Sequence, residues 1–342
     1  MHRQLTHIVK PVISAVLFVA ALWLLRDVLR EYHYHEIVTA LRSIPVLDLL
    51  LCFALTLGGY LALVGYDLVA LHYIGRPLPF RKAAGIAFIS YAVANSAPAS
   101  VLTGGGVRYR LYSSLGLSAV DTAKVSAFDV ITYSVGLLTL GGLVFLVEPL
   151  ALPRSIPLPF ASARPLGSLF LLAVAGYVLL VAIRMKPIRI RRWEFEIPSA
   201  RLVVAQMGVS SLDWIFSGGA LYVLLFRVLH VSFPEFLGLF LLAQLVTLIS
   251  PLPGGLGVFE AVILLLRPAG SSAAAAFGAL LAYRVVYYLL PLASAAILLG
   301  IRTIRTRRTP MTREPVGTWQ YSSRSSPRPK WDSWPTRGST KS

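Results

Sequence analysis

Four ionisable side chains lie well inside apolar segments of this 342-residue sequence: Asp129, Asp213, Glu260 and Arg284. An ionisable residue at the centre of a membrane helix costs about 2.5–3.5 kcal/mol on insertion scales, so these side chains must face the protein interior and be paired or hydrated. Three acids against one base leave surplus negative charge, which needs a proton, water or a substrate cation. The pattern raises two hypotheses, proton coupling and a cationic lipid headgroup. Asp67, near the end of its apolar segment, is expected at the interface instead.

Two of the apolar segments are broken in their middle by proline, glycine and small polar residues. Residues 84–107 contain Asn95-Ser96-Ala97-Pro98 and then Gly104, Gly105 and Gly106, and residues 235–267 contain Ser250-Pro251-Leu252-Pro253 and then Gly254, Gly255 and Gly257. Proline removes a helix donor, and unwound backbone at membrane depth is tolerated only inside protein or beside a wet cavity. We therefore predict two broken, re-entrant helix pairs. Their glycine amides could face an anionic phosphate, or the glycines could serve close helix packing.

Two arginines accompany these breaks. Arg284 carries a planar guanidinium, a geometry well suited to a phosphate. Arg108 lies just after the first glycine run; it could meet a headgroup entering from the cytoplasmic leaflet, or be an ordinary loop arginine of the positive-inside kind. Asp129 and Arg284 occupy equivalent places in the repeat described below. That placement predicts an Asp129–Arg284 pair or a shared network, with either a structural or a functional role.

The composition sets the class of protein. Hydrophobic residues make up 56% of the chain and charged residues 14%, whereas a soluble domain carries about 25% charged residues and a disordered chain is poor in apolar ones. Stretches long enough to cross a bilayer, about 20 residues each, occur at roughly 11–29, 46–73, 120–147, 166–184, 202–227 and 274–300. We interpret 11–29 as a retained helix because no small-residue cleavage site follows it. Residues 31–44 have the spacing of an amphipathic helix on the membrane surface.

The two broken segments and the helices after them are similar in sequence. GGGV at 104–107 resembles GLGV at 255–258, and AFDVITY at 127–133 matches AYRVVYY at 282–288. The match predicts two units, about 84–147 and 235–300, each a broken hairpin followed by a full helix; convergent helix breaking is the alternative. In opposite orientations they form an inverted repeat, which in many transporters holds the substrate near the midplane. The expected fold of residues 1–300 is an all-α polytopic membrane protein with about six full spans plus the two broken helix pairs.

The net charge of +17 mostly reports orientation. With the N-terminus inside and each broken segment returning to its own side, 24 of the 32 Lys and Arg residues lie on the cytoplasmic side and 7 on the outer side, as the positive-inside rule expects. Both termini are therefore predicted to be cytoplasmic. Residues 301–342 hold ten Lys and Arg and two acids. We predict a basic, disordered tail that either binds the anionic inner leaflet or only fixes orientation.

Motifs of soluble catalysis and metal binding are absent from the sequence. It has one cysteine, Cys52, and six histidines without an HExxH or Cys/His cluster, and it contains no GxSxG or Walker A pattern. No catalytic residue, metal, cofactor or nucleic-acid partner is predicted.

Four stretches carry a family resemblance: residues 90–112, 210–225 (SSLDWIFSGGALYVLL), 249–266 (ISPLPGGLGVFEAVILLL) and 282–291. Together they resemble the membrane domain of lysylphosphatidylglycerol synthases, the MprF-type flippase family, over roughly residues 85–300. The resemblance implies a bacterial inner-membrane fold with re-entrant helices that moves a phospholipid, or a similar polyisoprenoid or aminoacylated lipid, between leaflets. It also implies functional charges at Arg108, Asp213, Glu260 and Arg284. The bifunctional enzymes carry a soluble aminoacyl-transferase domain after the membrane part, whereas 42 mostly polar residues follow residue 300 here, so a stand-alone member without that activity is expected.

The expected function is a lipid flippase or transporter working by alternating access. Headgroup phosphate would contact Arg284 and the glycine amides, while the acyl chains stay in the bilayer. A membrane-embedded enzyme or accessory subunit of lipid headgroup modification is the first alternative, and a structural protein that acts through its tail is the second. The expected partners are membrane phospholipids, aminoacylated or anionic, with a second copy of the chain or a separate synthase as candidate protein partners.

Overall fold

The computed structural model describes residues 34–96, 100–148, 162–183, 188–190, 193–195, 197–249 and 257–308. The helices are α1 Tyr34–Arg42, α2 Val46–Tyr73, α3 Phe80–Ser96, α4 Ser100–Ser113, α5 Ala119–Val147, α6 Arg164–Ile183, α7 Ala200–Leu229, α8 Phe233–Ile249, α9 Val258–Leu265, α10 Ala273–Tyr283 and α11 Leu290–Arg308, with a π-helical turn at Arg284–Leu289 between the last two. Strands β1 Ile188–Ile190 and β2 Trp193–Phe195 form a small antiparallel hairpin between α6 and α7. The described chain is otherwise helical, which confirms the predicted class, although the hairpin was not predicted.

Five stretches of the described chain are long and apolar enough to cross a membrane. They are Val46–Tyr73, Ala119–Val147, Arg164–Ile183, Ala200–Leu229 and Ala273–Arg302, the last running through α10, the π turn and the first part of α11 in one continuous helix. These correspond to five of the six predicted spans, and the sixth, 11–29, lies outside the described residues. Large apolar side chains stay exposed along them, among them Leu50, Leu57 and Leu61 of α2. The chain is therefore a polytopic membrane protein.

Both predicted helix breaks are present. Helix α3 ends at Ser96 and α4 begins at Ser100, and α8 ends at Ile249 before α9 begins at Val258. The two halves of the first hairpin pack closely, because a Cβ at Gly104 would lie 2.5 Å from the Cβ of Ala94. In the second hairpin the rings of Phe240 and Phe259 pack edge to face with centroids 5.7 Å apart. Each broken hairpin is followed by a long helix, so the two units share one order of elements.

The ends of the predicted membrane domain differ in detail from the prediction. Helix α1 packs against α10, where the Cβ of Ala40 and the amide nitrogen of Leu41 lie 3.4 Å from the Cβ position of Gly278; its place at the membrane surface stays a prediction. The chain divides into two compact parts, Met1–Ile301 and Arg302–Ser342, and both hairpin units belong to the first part. Because α11 continues to Arg308, the first residues of the predicted disordered tail are helical, and 309–342 lie outside the described residues.

Helix α7 lies at the centre of the bundle and packs against α2, α5, α8 and α10. Small residues allow the close approach, as is common between membrane helices. A Cβ on Gly136 of α5 would lie 2.4 Å from the Cβ of Ser210 and 2.9 Å from its carbonyl carbon. On α7 itself, a Cβ on Gly218 would lie 2.8 Å from Leu237 Cδ1 and 3.3 Å from Phe240 Cδ1 of α8. The site is therefore built on closely packed helices.

Replacing Gly136 by alanine is expected to destabilise the bundle by about 1–3 kcal/mol, the usual cost of overpacking, because the Ser210 backbone must move. Gly208→Ala on α7 is the matched control, since no atom lies within 4 Å of its Cβ position. Thermal unfolding of both purified variants in detergent measures the difference. An unfolding midpoint of Gly136→Ala equal to that of Gly208→Ala would contradict the packing described here.

Candidate functional site

Arg108 of α4 is buried between two carboxylates. Its Nη2 donates to Asp67 Oδ1 at 2.8 Å and its Nη1 lies 2.5 Å from Asp129 Oδ2, and the three side chains are 7%, 0% and 6% exposed. Tyr112, one helical turn after Arg108 and on the same face, donates its hydroxyl to the other oxygen of Asp67. The guanidinium carbon lies 4.8 Å from the centre of the Tyr91 ring. We call these five residues the Arg108 cluster; it carries one cation against two acids.

A second ion pair lies in the second unit. Arg284 Nε donates to Glu260 Oε1 at 2.6 Å, and the guanidinium stands 5.0 Å from the centre of the Tyr288 ring. Glu260 lies in the first turn of α9, and its Oε2 accepts the backbone N–H of Gly257 at 2.9 Å. Gly257 has φ +82°, a conformation that side chains disfavour. The glycine thus shapes the start of α9, and Glu260 satisfies an amide that the helix start leaves free.

The predicted Asp129–Arg284 pair is wrong. Asp129 pairs with Arg108 and Arg284 pairs with Glu260, so each pair joins the second hairpin helix of a unit to the long helix that follows it. The signs are reversed between the units, because the hairpin carries the base in the first and the acid in the second. Equivalent positions of a repeat contact their own hairpins, which explains why opposite charges at matching positions do not meet.

Asp67 corrects a second prediction. Expected at the interface, it is fully buried and bonded to Arg108 and Tyr112. Helix α2 continues to Tyr73, which leaves Asp67 almost two turns inside the helix end. The alternative that Arg108 is an ordinary loop arginine is likewise wrong, since it is 6% exposed inside α4. Tyr112 is a site residue that the sequence analysis missed. Its position one helical turn after Arg108 was the available signal, but the sequence contains too many tyrosines for that spacing to single it out.

Asp213 of α7 is buried without a cationic partner in the described part of the chain. Its Oδ2 accepts the hydroxyl of Tyr66 at 3.0 Å, and its Oδ1 lies 3.5 Å from the hydroxyl of Ser217. The Ser217 hydroxyl is in turn 2.5 Å from that of Tyr287 in the π turn. Asp213 therefore lies between α2, which carries Asp67 of the Arg108 cluster, and the π turn that begins with Arg284.

A cavity of about 380 Å³ adjoins the Arg108 cluster, within the size range of small-molecule sites. Gly104, Gly105, Arg108 and Asp129 line it, together with the rings of Tyr66, Tyr91 and Tyr133 and with Asn95, Ser126, Val130 and Leu248. Asp129 Oδ1 is buried there without a hydrogen-bond partner among the described residues. Four of the predicted site residues therefore meet at one cavity. The Arg284–Glu260 pair, with Gly257 bonded to Glu260, lies apart from this cavity. Asp213 does not line the cavity either, but its hydrogen-bond partner Tyr66 does.

The first glycine run divides by role. Gly104 serves helix packing, since a Cβ there would lie 2.5 Å from Ala94 and 3.1 Å from the Ser90 carbonyl oxygen. Gly105 and Gly106 have no atom within 4 Å of their Cβ positions, and Gly105 lines the cavity. Close packing and an open cavity wall thus occur side by side. Gly254 and Gly255 lie outside the described residues.

Two broken hairpins, each followed by a long helix and each carrying a buried ion pair, define a helical membrane protein with an internal polar site. Residues 8–295 match the family model of the lysylphosphatidylglycerol synthase TM region. The chain belongs to this family.

Relatives over nearly the whole chain are also found. The Synechocystis protein slr0712 is 42% identical over 299 residues, which cover 87% of this chain and 92% of the relative. Inner membrane protein YbhN of Escherichia coli K12 is 31% identical over 290 residues, 84% of this chain and 90% of YbhN. A phosphatidylglycerol lysyltransferase of Staphylococcus epidermidis is 40% identical over 92 residues, which are 26% of this chain and 11% of that enzyme. The last match is too short to carry the enzyme's activity to this chain.

Proposed function

We propose that the protein moves a phospholipid or a related lipid between the two leaflets, binding the headgroup in the cavity beside the Arg108 cluster. The observation that carries the proposal is the polarity of the cavity wall. Arg108 and Asp129 are 6% and 5% exposed, whereas Val130 and Leu248, which line the same cavity, are 52% and 57% exposed. A charged interior that reaches an apolar outer surface suits an amphipathic lipid, with the headgroup inside and the acyl chains in the bilayer.

The charges favour a headgroup that carries an amine as well as a phosphate. Asp67 and Asp129 outweigh Arg108, and among the described residues neither Asp129 oxygen has a hydrogen-bond partner, although Oδ2 lies 2.5 Å from Arg108 Nη1. Tyr66 also lines the cavity, and aromatic rings attract cations. These features support the hypothesis of a cationic headgroup. Contact of a headgroup phosphate with Arg284 stays a prediction, because Arg284 does not line this cavity.

Alternating access would be a movement of the two hairpin units relative to each other. The shared order of elements and the reversed ion pairs support two related units, while their opposite orientation and the cytoplasmic termini belong to the proposal. We also propose that the tail binds the anionic inner leaflet and that the protein has no aminoacyl-transferase activity. A second copy of the chain or, alternatively, a separate synthase is the protein partner proposed.

Filling the cavity wall tests the function. Gly105→Leu places a side chain in the cavity where no atom now lies within 4 Å of the Cβ position, and Gly106→Leu is the matched control because Gly106 is equally open but does not line the cavity. We expect Gly105→Leu to slow lipid movement about tenfold, the effect of ~1.4 kcal/mol of lost binding, and Gly106→Leu to leave it unchanged. Vesicles with acyl-labelled phosphatidylethanolamine or phosphatidylglycerol and an outside quencher report the rate.

The arms of this experiment separate the claims. Faster movement of the amine-bearing lipid supports the charge argument, and faster movement of phosphatidylglycerol would contradict it. The transport function would be wrong if wild-type protein moved no lipid of any headgroup, and the headgroup site in the cavity would be wrong if both leucine variants were as active as wild type.

A further inference from the structure

Asp213 differs from the other buried carboxylates of the described chain. Asp48, Asp67, Asp129 and Glu260 each lie within 4.0 Å of an arginine nitrogen, whereas Asp213, 4% exposed, has hydroxyl partners alone among the described residues. Hydroxyl groups stabilise an ionised carboxylate by hydrogen bonds but do not balance its charge. The burial of this unbalanced acid at the centre of α7 needs an explanation that ion pairing does not supply.

Among the described residues, no arginine, lysine or histidine nitrogen lies within 4.0 Å of the Asp213 carboxylate, whose hydrogen-bond partners are hydroxyl groups. The titratable side chains around it are tyrosines: Tyr60 and Tyr66 of α2, Tyr133 of α5, Tyr283 of α10 and Tyr287 of the π turn. Helices α6 and α8, which also touch α7, carry their charged residues, Arg164 and Glu235, in exposed first turns. Within the described part of the chain, a proton is therefore the simplest positive charge that can reach this carboxylate.

A row of hydroxyl groups joins Asp213 to both parts of the site. On one side Tyr66 donates to Oδ2 and its ring lines the cavity. On the other side Ser217 lies between Oδ1, at 3.5 Å, and the Tyr287 hydroxyl, at 2.5 Å. Tyr287 belongs to the π turn that starts at Arg284. A change at Asp213 therefore has a direct route to the cavity and to the second ion pair.

The π turn itself is held from the first half of the chain. The backbone carbonyl of Tyr287 accepts the Tyr60 hydroxyl at 3.3 Å, and that of Tyr288 accepts the Ser96 hydroxyl at 3.4 Å. Side-chain donors of this kind satisfy carbonyls that a wide helical turn leaves without their normal partners. Because Ser96 is the last residue of α3, the π turn connects the break of the first hairpin with the Asp213 hydroxyl row.

We propose that Asp213 is a proton-binding site and that its protonation sets the direction of the hydrogen bonds that run from α2 through α7 to the π turn. The ionised carboxylate can only accept, so both Tyr66 and Ser217 donate to it. The protonated acid has one O–H to donate; if it donates to Ser217, the Ser217 hydroxyl is free to donate to Tyr287 and the direction of that bond reverses. This proposal rests on the proposed lipid transport and predicts that the rate of lipid movement depends on pH.

Infrared difference spectroscopy of the purified full-length protein tests proton binding without any transport. Spectra taken in acidic minus alkaline buffer should show the C=O stretching band of a protonated carboxylic acid. We expect Asp213→Asn to lose one such band, Asp213→Glu to shift it, and Asp48→Asn to retain it. Asp48 is the matched control because it is equally buried but paired with Arg227, at the start of α2. If Asp213→Asn and Asp213→Glu both give the wild-type difference spectrum, the proton site is wrong whatever the transport result.

The same variants in vesicles test the coupling. We expect the rate of lipid movement by wild-type protein to change severalfold with pH, and the profile of Asp213→Asn to be flat over that range. Ser217→Ala, which removes the hydroxyl between Asp213 and Tyr287, should keep the infrared band and flatten the profile. A profile of Asp213→Asn that follows wild type would overturn the coupling while leaving the lipid transport in place. Wild-type vesicles that move no lipid would contradict the proposed function, while the infrared result would still decide the proton site.

Discussion

Replacing Arg108 by glutamine is expected to lower the free energy of unfolding by about 3–5 kcal/mol, the cost of breaking a buried ion pair from one side, and to abolish lipid movement. The substitution leaves Asp67 and Asp129 buried, at 0% and 5% exposure, without the cation that separates them. Two neighbouring buried carboxylates then repel each other without a cation between them. Chemical unfolding in mixed micelles measures the stability, and the vesicle assay measures the transport.

A double variant identifies the cause of the Arg108 effect. Adding Asp129→Asn to Arg108→Gln removes one of the two acids, so we expect it to restore part of the lost stability, whereas Asp129→Asn alone should cost less because Arg108 keeps Asp67. Coupling of this kind between contacting residues is measured by a double-mutant cycle. Additive effects of the two substitutions would show that the charge cluster does not hold α2, α4 and α5 together in this way.

Replacing Arg284 by alanine is expected to cost roughly 3 kcal/mol of stability, near the lower end of the range for a broken buried pair. Glu260 loses the guanidinium at 2.6 Å but keeps the Gly257 amide at 2.9 Å, and a carboxylate in the first turn of a helix is favoured by the helix dipole. Arg284 also starts the π turn, so the loss should loosen the Tyr287 contacts. Unfolding in mixed micelles checks the magnitude, and the vesicle assay checks for reduced lipid movement.

Arg227→Ala is the control for Arg284→Ala. Arg227 also pairs with a buried aspartate, Asp48, at 3.0 Å, but its side chain is 59% exposed against 14% for Arg284. Exposed pairs contribute about 0–1 kcal/mol, so this variant should be close to wild type in stability and transport. Equal losses in the two variants would show that burial of the Arg284–Glu260 pair has no special importance.

The helix breaks were predictable because their cause is local. Proline and clustered glycines disfavour helix whatever surrounds them, and α3 ends at Ser96 and α8 at Ile249, each two residues before a proline. The burial of Asp129, Asp213 and Glu260 was predictable for a similar reason, since an acid within an apolar span has no low-energy place except the interior. The burial of Asp67 was not visible, because the predicted span 46–73 matches α2 and only the packing of α4 against it brings Arg108 and Tyr112 to this carboxylate.

Ion pairing could not be derived from the sequence, because it depends on which helices are neighbours. Opposite charges at matching positions of a repeat suggested that Asp129 meets Arg284, but each contacts its own hairpin. The π turn at Arg284 and the approach of Tyr287 to Ser217 likewise arise from packing between distant segments. No short-range pattern encodes such contacts.

By itself the sequence determined the class of protein, the places where two helices break, and the acids that must be buried, because composition, proline and charge act through local free energies. The tertiary structure decided which charges pair, which glycines pack or line a cavity, and which buried acid has only hydroxyl partners among the described residues. These depend on distances between helices that are far apart in the chain. The surplus of acids was visible from the start, but only the packed bundle assigns one part of it to the cavity at Asp129 and the other to Asp213.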